Sequence, residues 1–225
     1  MFDDLDEIPE EKILRSCKPY LDLVARIYKD SGLLRPFLHG SENIKMELTK
    51  FTFKPRSKPM NSPLRDFEIA NKWFQDNFGI KARSETLFVT TIISVANMYG
   101  EPHLVFPIGK FGTIHSDEAK DLYLKLTPSS IIEQDFKEEY QEYVKEHGKN
   151  PKITYEFVDK AYELYSERYE KAVTDILDSL EYKKNDYRNA LLSGSEIMLK
   201  TKKFYIIRKT DEMMEFLRDY VEDFS

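Results

Sequence analysis

The chain has few of the features that mark secreted, membrane or nucleic-acid-binding proteins. Its single cysteine, Cys17, excludes an intramolecular disulfide bond and is typical of a reducing compartment. No run of about 18 consecutive apolar residues is present, and the first residues are acidic where a secretory signal is basic and then apolar. Lysine and arginine (34) are outnumbered by aspartate and glutamate (40), so the net charge of −6 gives no general attraction to nucleic acid. We therefore expect an intracellular protein.

Signatures of metal and phosphate sites are also missing. The four histidines, at positions 39, 103, 115 and 147, are scattered without ligand spacing, so no metal site is predicted. Residues 107–110 lack the second glycine and the Gly-Lys-Ser/Thr ending of a phosphate loop. With 41% hydrophobic and 33% charged residues, 225 residues are enough to bury a core, and we expect one domain over residues 1–225.

The hydrophobic pattern alternates between helical and extended spacing, which predicts an α+β fold. Helical spacing covers residues 13–31, 62–78 and 211–221, and Gly32 and Gly79 are placed to end the first two helices. A further helix is predicted to start with a cap at residues 116–119, and residues 127–185 to form a helical insertion. Strands are predicted at 33–38, from Ile44 and Met46 to 53 with a bulge, at 86–91 and at 104–108. Residues 196–200 and 204–207 are predicted to form a hairpin.

Three polar residues occur at the ends of separate predicted strands: Arg35, Thr90 and Glu196. An arginine can bind a phosphate or ribose through its fork of donors, and a threonine hydroxyl can orient a carboxylate. A fixed carboxylate can stabilise the positive charge that develops when a ribose–base bond breaks. Taken one by one, each has a structural explanation. Arg35 could pair with a surface acid, Thr90 suits any strand, and Glu196 could begin a strand from solvent.

The order of these residues and the motifs around them resemble the ADP-ribosyltransferases, and especially small bacteriophage proteins of that type. The matching motifs are residues 33–35 (LLR), 78–79 (FG), 83–84 (RS), 87–90 (LFVT), 99–100 (YG), 106–109 (FPIG) and 193–199 (SGSEIML). The resemblance covers residues 33–121 and 193–207. It implies split sheets with an N-terminal helix and a helical insertion before the last strands.

The resemblance also implies a role for each candidate residue. Arg35 would bind the phosphates and nicotinamide ribose of NAD, Thr90 would orient Glu196, and Glu196 would support the oxocarbenium ion as nicotinamide leaves. Phe88 and Tyr99 are candidates to pack on the nicotinamide or its ribose, and Arg83 is a further NAD-binding candidate. Gly194 stands two residues before Glu196, where arginine-modifying relatives carry an acid, which argues against arginine as the acceptor.

The sequence thus predicts a mono-ADP-ribosyltransferase that is phage-encoded and acts in the host cytoplasm, with or without packaging in the virion. NAD is its substrate, a host protein or nucleic acid is the acceptor, and neither a membrane nor a metal takes part. Two alternatives remain. One is a non-catalytic interaction protein that keeps the fold and docks through its helical insertion, and the other is a regulator that binds a nucleotide without turnover.

Overall fold

The computed structural model describes residues 9–42, 48–59, 62–148 and 151–224. The chain divides into two compact units. The first combines Met1–Pro55, Glu85–Asp117 and Lys183–Ser225, and the second combines Arg56–Ser84 and Glu118–Tyr182. The helical segment predicted as an insertion, residues 127–185, therefore lies mostly in a unit that also contains residues 56–84.

The first unit contains two four-stranded antiparallel sheets, in agreement with the predicted α+β class. One sheet has the strand order β1-β4-β8-β2 and the other the order β3-β7-β5-β6. The strands are β1 (Leu38–Ser41), β2 (Thr49–Thr52), β3 (Leu87–Val89), β4 (Glu101–Pro107), β5 (Phe111–His115), β6 (Lys183–Lys184), β7 (Ile197–Thr201) and β8 (Lys203–Arg208).

Helices of the first unit are α1 (Pro9–Ser16), α2 (Lys18–Ser31), α5 (Ile93–Asn97), α11 (Tyr187–Ser193) and α12 (Asp211–Glu222). Those of the second unit are α3 (Leu64–Phe78), α6 (Leu122–Lys125), α7 (Pro128–Ile131), α8 (Lys137–His147), α9 (Pro151–Leu164) and α10 (Ser166–Ser179), with a π-helical turn at Ile132–Phe136. The short helix α4 (Ala82–Glu85) lies where the chain passes between the units. Gly32 and Gly79 end α2 and α3 in the left-handed conformation, as predicted.

A backbone bridge between Leu38 and Thr90 joins the two sheets of the first unit. The Leu38 N–H donates to the Thr90 carbonyl at 2.7 Å, and the Thr90 N–H donates to the Leu38 carbonyl at 2.9 Å. Leu38 begins β1 in one sheet, and Thr90 follows β3 in the other. This bridge therefore fixes how the start of β1 lies against the end of β3.

The predicted hairpin between residues 196–200 and 204–207 is wrong, because β7 and β8 belong to different sheets. Strand β7 pairs with β3 and β5, whereas β8 pairs with β4 and β2. Both strands are buried along most of their length, which is typical of a central strand with a neighbour on each side. The chain crosses between the sheets at Lys202.

Three other sequence predictions need correction. Residues 33–37 are not a strand; Pro36 has no N–H to donate, and β1 begins only at Leu38. The helix predicted to be capped at 116–119 begins at Leu122 instead, because the Asp121 carboxylate accepts a hydrogen bond from the Tyr123 N–H at 2.8 Å. The first predicted helix is broken at Cys17 into α1 and α2. The predicted strand positions Ile44 and Met46 lie outside the described residues.

In the second unit, α3 packs against α10 through polar as well as apolar contacts. The Tyr169 hydroxyl donates to Asp66 Oδ1 at 2.8 Å, and Arg65 Nε donates to the same hydroxyl at 3.0 Å. Trp73 Nε1 donates to Asp178 Oδ1 at 2.7 Å. Burial raises the pKa of the Asp66 carboxyl, and the bond from Tyr169 partly opposes that shift.

The core of the first unit is centred on Tyr20, whose side chain is fully buried. Its ring stacks on Phe37 with the centroids 4.9 Å apart and meets the edge of Phe106. Its hydroxyl accepts a hydrogen bond from the Phe37 N–H at 2.7 Å, a distance typical of a strong bond. Cys17 is buried nearby, and burial raises the pKa of its thiol to about 12, so it acts as a small hydrophobic residue.

We expect Tyr20→Phe to lower the free energy of unfolding by about 1–3 kcal/mol, because it leaves the buried Phe37 N–H without its acceptor. Tyr28→Phe is the matched control, since the Tyr28 hydroxyl makes only a long, exposed contact of 3.5 Å with Glu222. Urea denaturation followed by circular dichroism measures both variants. Equal losses in the two would contradict the role assigned to Tyr20.

Candidate functional site

The strand register places Glu196 between two hydroxyl-bearing residues. Ile197, the first residue of β7, pairs with Val89 of β3 on one side and with His115 of β5 on the other. Glu196 precedes Ile197, while Thr90 and Ser116 follow those partners, and in antiparallel pairing these three residues are neighbours. The first unit thus brings Thr90 and Glu196 together at one end of the sheet.

Glu196 is held at the end of a short, rigid connection from α11 to β7. Gly194 ends α11 with φ of 69°, in the left-handed region, and the Ser195 side chain that follows is fully buried. A Cβ atom on Gly194 would lie 2.8 Å from Ile92 Cγ1, so the connection passes close to the residues after Thr90. Glu196 itself is half-buried, and its Oε1 atom is buried.

Thr90 is buried and contributes to the site through both its backbone and its side chain. Its backbone forms the bridge to Leu38, and its hydroxyl oxygen accepts a hydrogen bond from the Ile92 N–H at 3.2 Å. This local bond turns the chain out of β3 toward α5. The neighbouring Thr91 hydroxyl donates to the Leu191 carbonyl of α11 at 2.9 Å, which ties the same turn to the helix that precedes Glu196.

Arg35 lies in the segment before β1 and not on a strand. The segment is well positioned, because the Phe37 N–H is bonded to Tyr20 and the Phe37 carbonyl accepts a hydrogen bond from the Val105 N–H at 3.0 Å. The Arg35 side chain is half-buried, and among the described residues it has no hydrogen-bond or ion-pair partner. Its guanidinium group, three residues before the Leu38–Thr90 bridge, is therefore open to an anion.

The three further candidates lie in different surroundings. Phe88 lies on β3, two residues before Thr90, so both residues face the same side of the sheet as Glu196. The Phe88 carbonyl is 2.8 Å from His39 Nδ1. Tyr99 lies in the turn after α5 and is 48% exposed. Arg83 belongs to the second unit, where its carbonyl accepts a hydrogen bond from Arg56 Nη2 at 2.9 Å and its residue lines a shallow cavity.

The sequence predicted no site role for His115 and a helix cap at Ser116, whereas both residues flank the site at the end of β5. Both side chains are fully buried. Burial lowers the pKa of His115 below its usual value of 6.5, although the Asp117 carboxylate, 3.6 Å from Nε2, acts in the opposite direction. The pattern that could have revealed them is the alternation in residues 111–115, which the sequence analysis did not assign to a strand.

We expect the stability of the protein to fall as the pH drops below 6.5 in a way that depends on His115. Its pKa is lower in the folded than in the unfolded state, so the unfolded state takes up the proton first and stability is lost below that pH. His115→Gln should flatten this part of the curve of unfolding free energy against pH. His147→Gln, at an exposed position, is the control and should leave the curve unchanged.

Gly194→Ala tests whether the connection before Glu196 is as tight as its geometry indicates. A left-handed alanine costs about 1–2 kcal/mol, and the clash with Ile92 should add about 1 kcal/mol or more. Gly32→Ala is the matched control, because Gly32 has the same φ of 69° but no atom within 4 Å of the position that a Cβ would take. Urea denaturation of both variants gives the difference, and equal destabilisation would show that the contact with Ile92 is unimportant.

Comparison of the chain with protein-family models, with curated proteins and with solved structures found no match. Within the described ranges, no helix is long and apolar enough to cross a membrane. Among the same residues, no group of three or more histidine, cysteine, aspartate or glutamate side chains could hold a metal ion. The case for a function therefore rests on the residues of the first unit and on the resemblance in sequence.

Proposed function

We propose that the protein is a mono-ADP-ribosyltransferase that uses NAD and that Glu196 is its catalytic carboxylate. The observation that carries this proposal is the position of Glu196 at the start of the central strand β7, between Thr90 and Ser116. A carboxylate held at a strand end by a tight turn can be aimed at a sugar ring. The two sheets joined at Leu38 and Thr90 are compatible with the split-sheet architecture that the sequence resemblance implies.

The other candidate residues of the first unit have side chains that fit the chemistry of NAD. The Arg35 guanidinium, open to an anion among the described residues, suits a diphosphate. Phe88 shares a face of the sheet with Glu196 and, with the half-exposed Tyr99, offers an aromatic surface to the nicotinamide ring. Thr90 supports the turn beside Glu196.

In the proposed reaction, the bond between the nicotinamide nitrogen and C1′ of the ribose breaks, and its electron pair leaves with neutral nicotinamide. Positive charge develops on C1′ and the ring oxygen, and the Glu196 carboxylate stabilises it while accepting a hydrogen bond from the ribose 2′-hydroxyl. A nucleophile on the acceptor then forms a new bond to C1′ and loses its proton. The acceptor would be a protein or nucleic acid of the host cell, in keeping with a phage-encoded protein.

The alternative of a non-catalytic interaction protein is favoured by one feature of the second unit. Tyr155 and Leu164 on α9 are each 60% exposed, and Tyr165 between α9 and α10 is 48% exposed. Leu164 and Tyr165 are adjacent in sequence, and neighbouring exposed apolar side chains are a feature of docking surfaces. In this alternative the first unit keeps the fold without turnover.

Glu196→Gln keeps the shape of the side chain but removes its negative charge. We expect it to reduce nicotinamide release from NAD by roughly a hundredfold or more while NAD affinity changes little, because the lost interaction acts mainly in the transition state. Arg35→Ala should instead raise the NAD concentration needed for half-maximal rate, since a phosphate contact acts on the ground state as well.

Glu212→Gln, at an exposed position of α12, is the matched control and should leave the rate unchanged. Nicotinamide release measured over a range of NAD concentrations separates these effects. If the wild-type protein releases no nicotinamide, or if Glu196→Gln is as active as the control, the interaction protein becomes the better account.

A further inference from the structure

Five lysines lie on three chain segments of the first unit that contain no acidic residue. The segments are residues 48–55, 107–112 and 201–207. Their lysines are all exposed, and we call them the lysine patch: Lys50, Lys54, Lys110, Lys202 and Lys203. In a protein with a net charge of −6, this is a local reversal of charge.

Backbone hydrogen bonds hold the three segments side by side. Thr52 at the end of β2 pairs with Lys203 of β8. The Phe53 N–H donates to the Lys202 carbonyl at 2.9 Å, and the Ile108 N–H donates to the Lys203 carbonyl at 2.9 Å. The crossing from β7 to β8 is thus flanked by the end of β2 and by the β4–β5 turn that carries Lys110, so the lysines form one surface.

The lysine patch differs from other lysines of the first unit in its ion pairing. In the described part of the chain, none of the five lysines forms an ion pair. Two other lysines of the same unit are paired: Lys200 is 2.6 Å from Glu85 and Lys18 is 2.9 Å from Asp22. The Lys50 ammonium lies over the Tyr205 ring, 5.8 Å from its centroid, which leaves its charge available.

We propose that the lysine patch binds the phosphate backbone of a nucleic acid. Lysine ammonium groups act as point charges for phosphates and carry no sequence information. Since the proposed contacts are to phosphates, we expect binding without sequence preference, and Phe204 and Tyr205 of β8 are buried and do not stack on bases. The regularly spaced phosphates of a nucleic acid can contact several of the five lysines at once. An isolated acidic side chain cannot.

The lysine patch is separate from the proposed catalytic site. Glu196 precedes β7 and Lys202 follows it, so the two are separated by roughly 20 Å of extended strand. The inference therefore does not rest on NAD chemistry. The net charge of −6 predicts no general attraction to nucleic acid, but the lysine patch is a local exception to that prediction.

Fluorescence anisotropy with a labelled single strand of about 20 nucleotides, at about 50 mM and about 200 mM salt, tests the proposal on the full chain. We expect the dissociation constant of the wild type to rise about a hundredfold over this range, as for roughly five phosphate contacts. The triple variant Lys50→Gln, Lys202→Gln, Lys203→Gln should bind at least about tenfold more weakly and show a salt slope smaller by about 2.

The matched control is the triple variant Lys29→Gln, Lys72→Gln, Lys145→Gln, which changes the net charge equally at exposed lysines elsewhere. It should bind like the wild type, and circular dichroism should show both variants folded. Three results would overturn the proposal: no binding by the wild type at low salt, an equal loss in the control, or tighter binding to labelled poly-glutamate or to anionic lipid vesicles than to the oligonucleotide. The last would point to an acidic protein or a membrane surface instead.

Discussion

The arrangement of the first unit depends on the two hydrogen bonds between Leu38 and Thr90. They form a backbone bridge between one four-stranded sheet and the other, and the chain segments on both sides carry the candidate residues. Tyr20 reinforces the joint by binding Phe37, the residue before Leu38. Thr91 reinforces it on the other side by binding the carbonyl of Leu191 in α11. A substitution that breaks the Leu38–Thr90 bridge should therefore change the positions of Arg35, Thr90 and Glu196 together.

Local patterns in the sequence were enough to predict elements whose contacts are local, and failed where pairing is between distant residues. The ends of α2 and α3 follow from glycines that adopt the left-handed conformation. The strands β7 and β8 are close in sequence, and two apolar runs joined by a polar turn are the usual sign of a hairpin. β7 and β8 belong to different sheets because each pairs with two strands that are distant in sequence. A local sequence pattern does not predict such pairing.

In the candidate site, too, local features could be predicted from the sequence and contacts between distant residues could not. The apolar runs before Thr90 and after Glu196 are visible in the sequence, and both form strands, although their pairing with each other is not a local feature. The sequence wrongly placed Arg35 on a strand, because a pattern of apolar residues does not reveal the hydrogen bond that the Phe37 N–H donates to the Tyr20 hydroxyl. The lysine patch was not predicted either, because the net charge is a sum over the whole chain and does not show which charged residues folding brings to one surface.

The most direct test of this account is hydrogen exchange with and without NAD, resolved to single amides by NMR. The Leu38 and Thr90 amides should exchange slowly without NAD, because they join the sheets. NAD should increase protection around residues 34–38, 88–92 and 194–197. Protection confined to α9 and α10, or fast exchange of the Leu38 and Thr90 amides, would contradict the claim that NAD binds where the two sheets are joined.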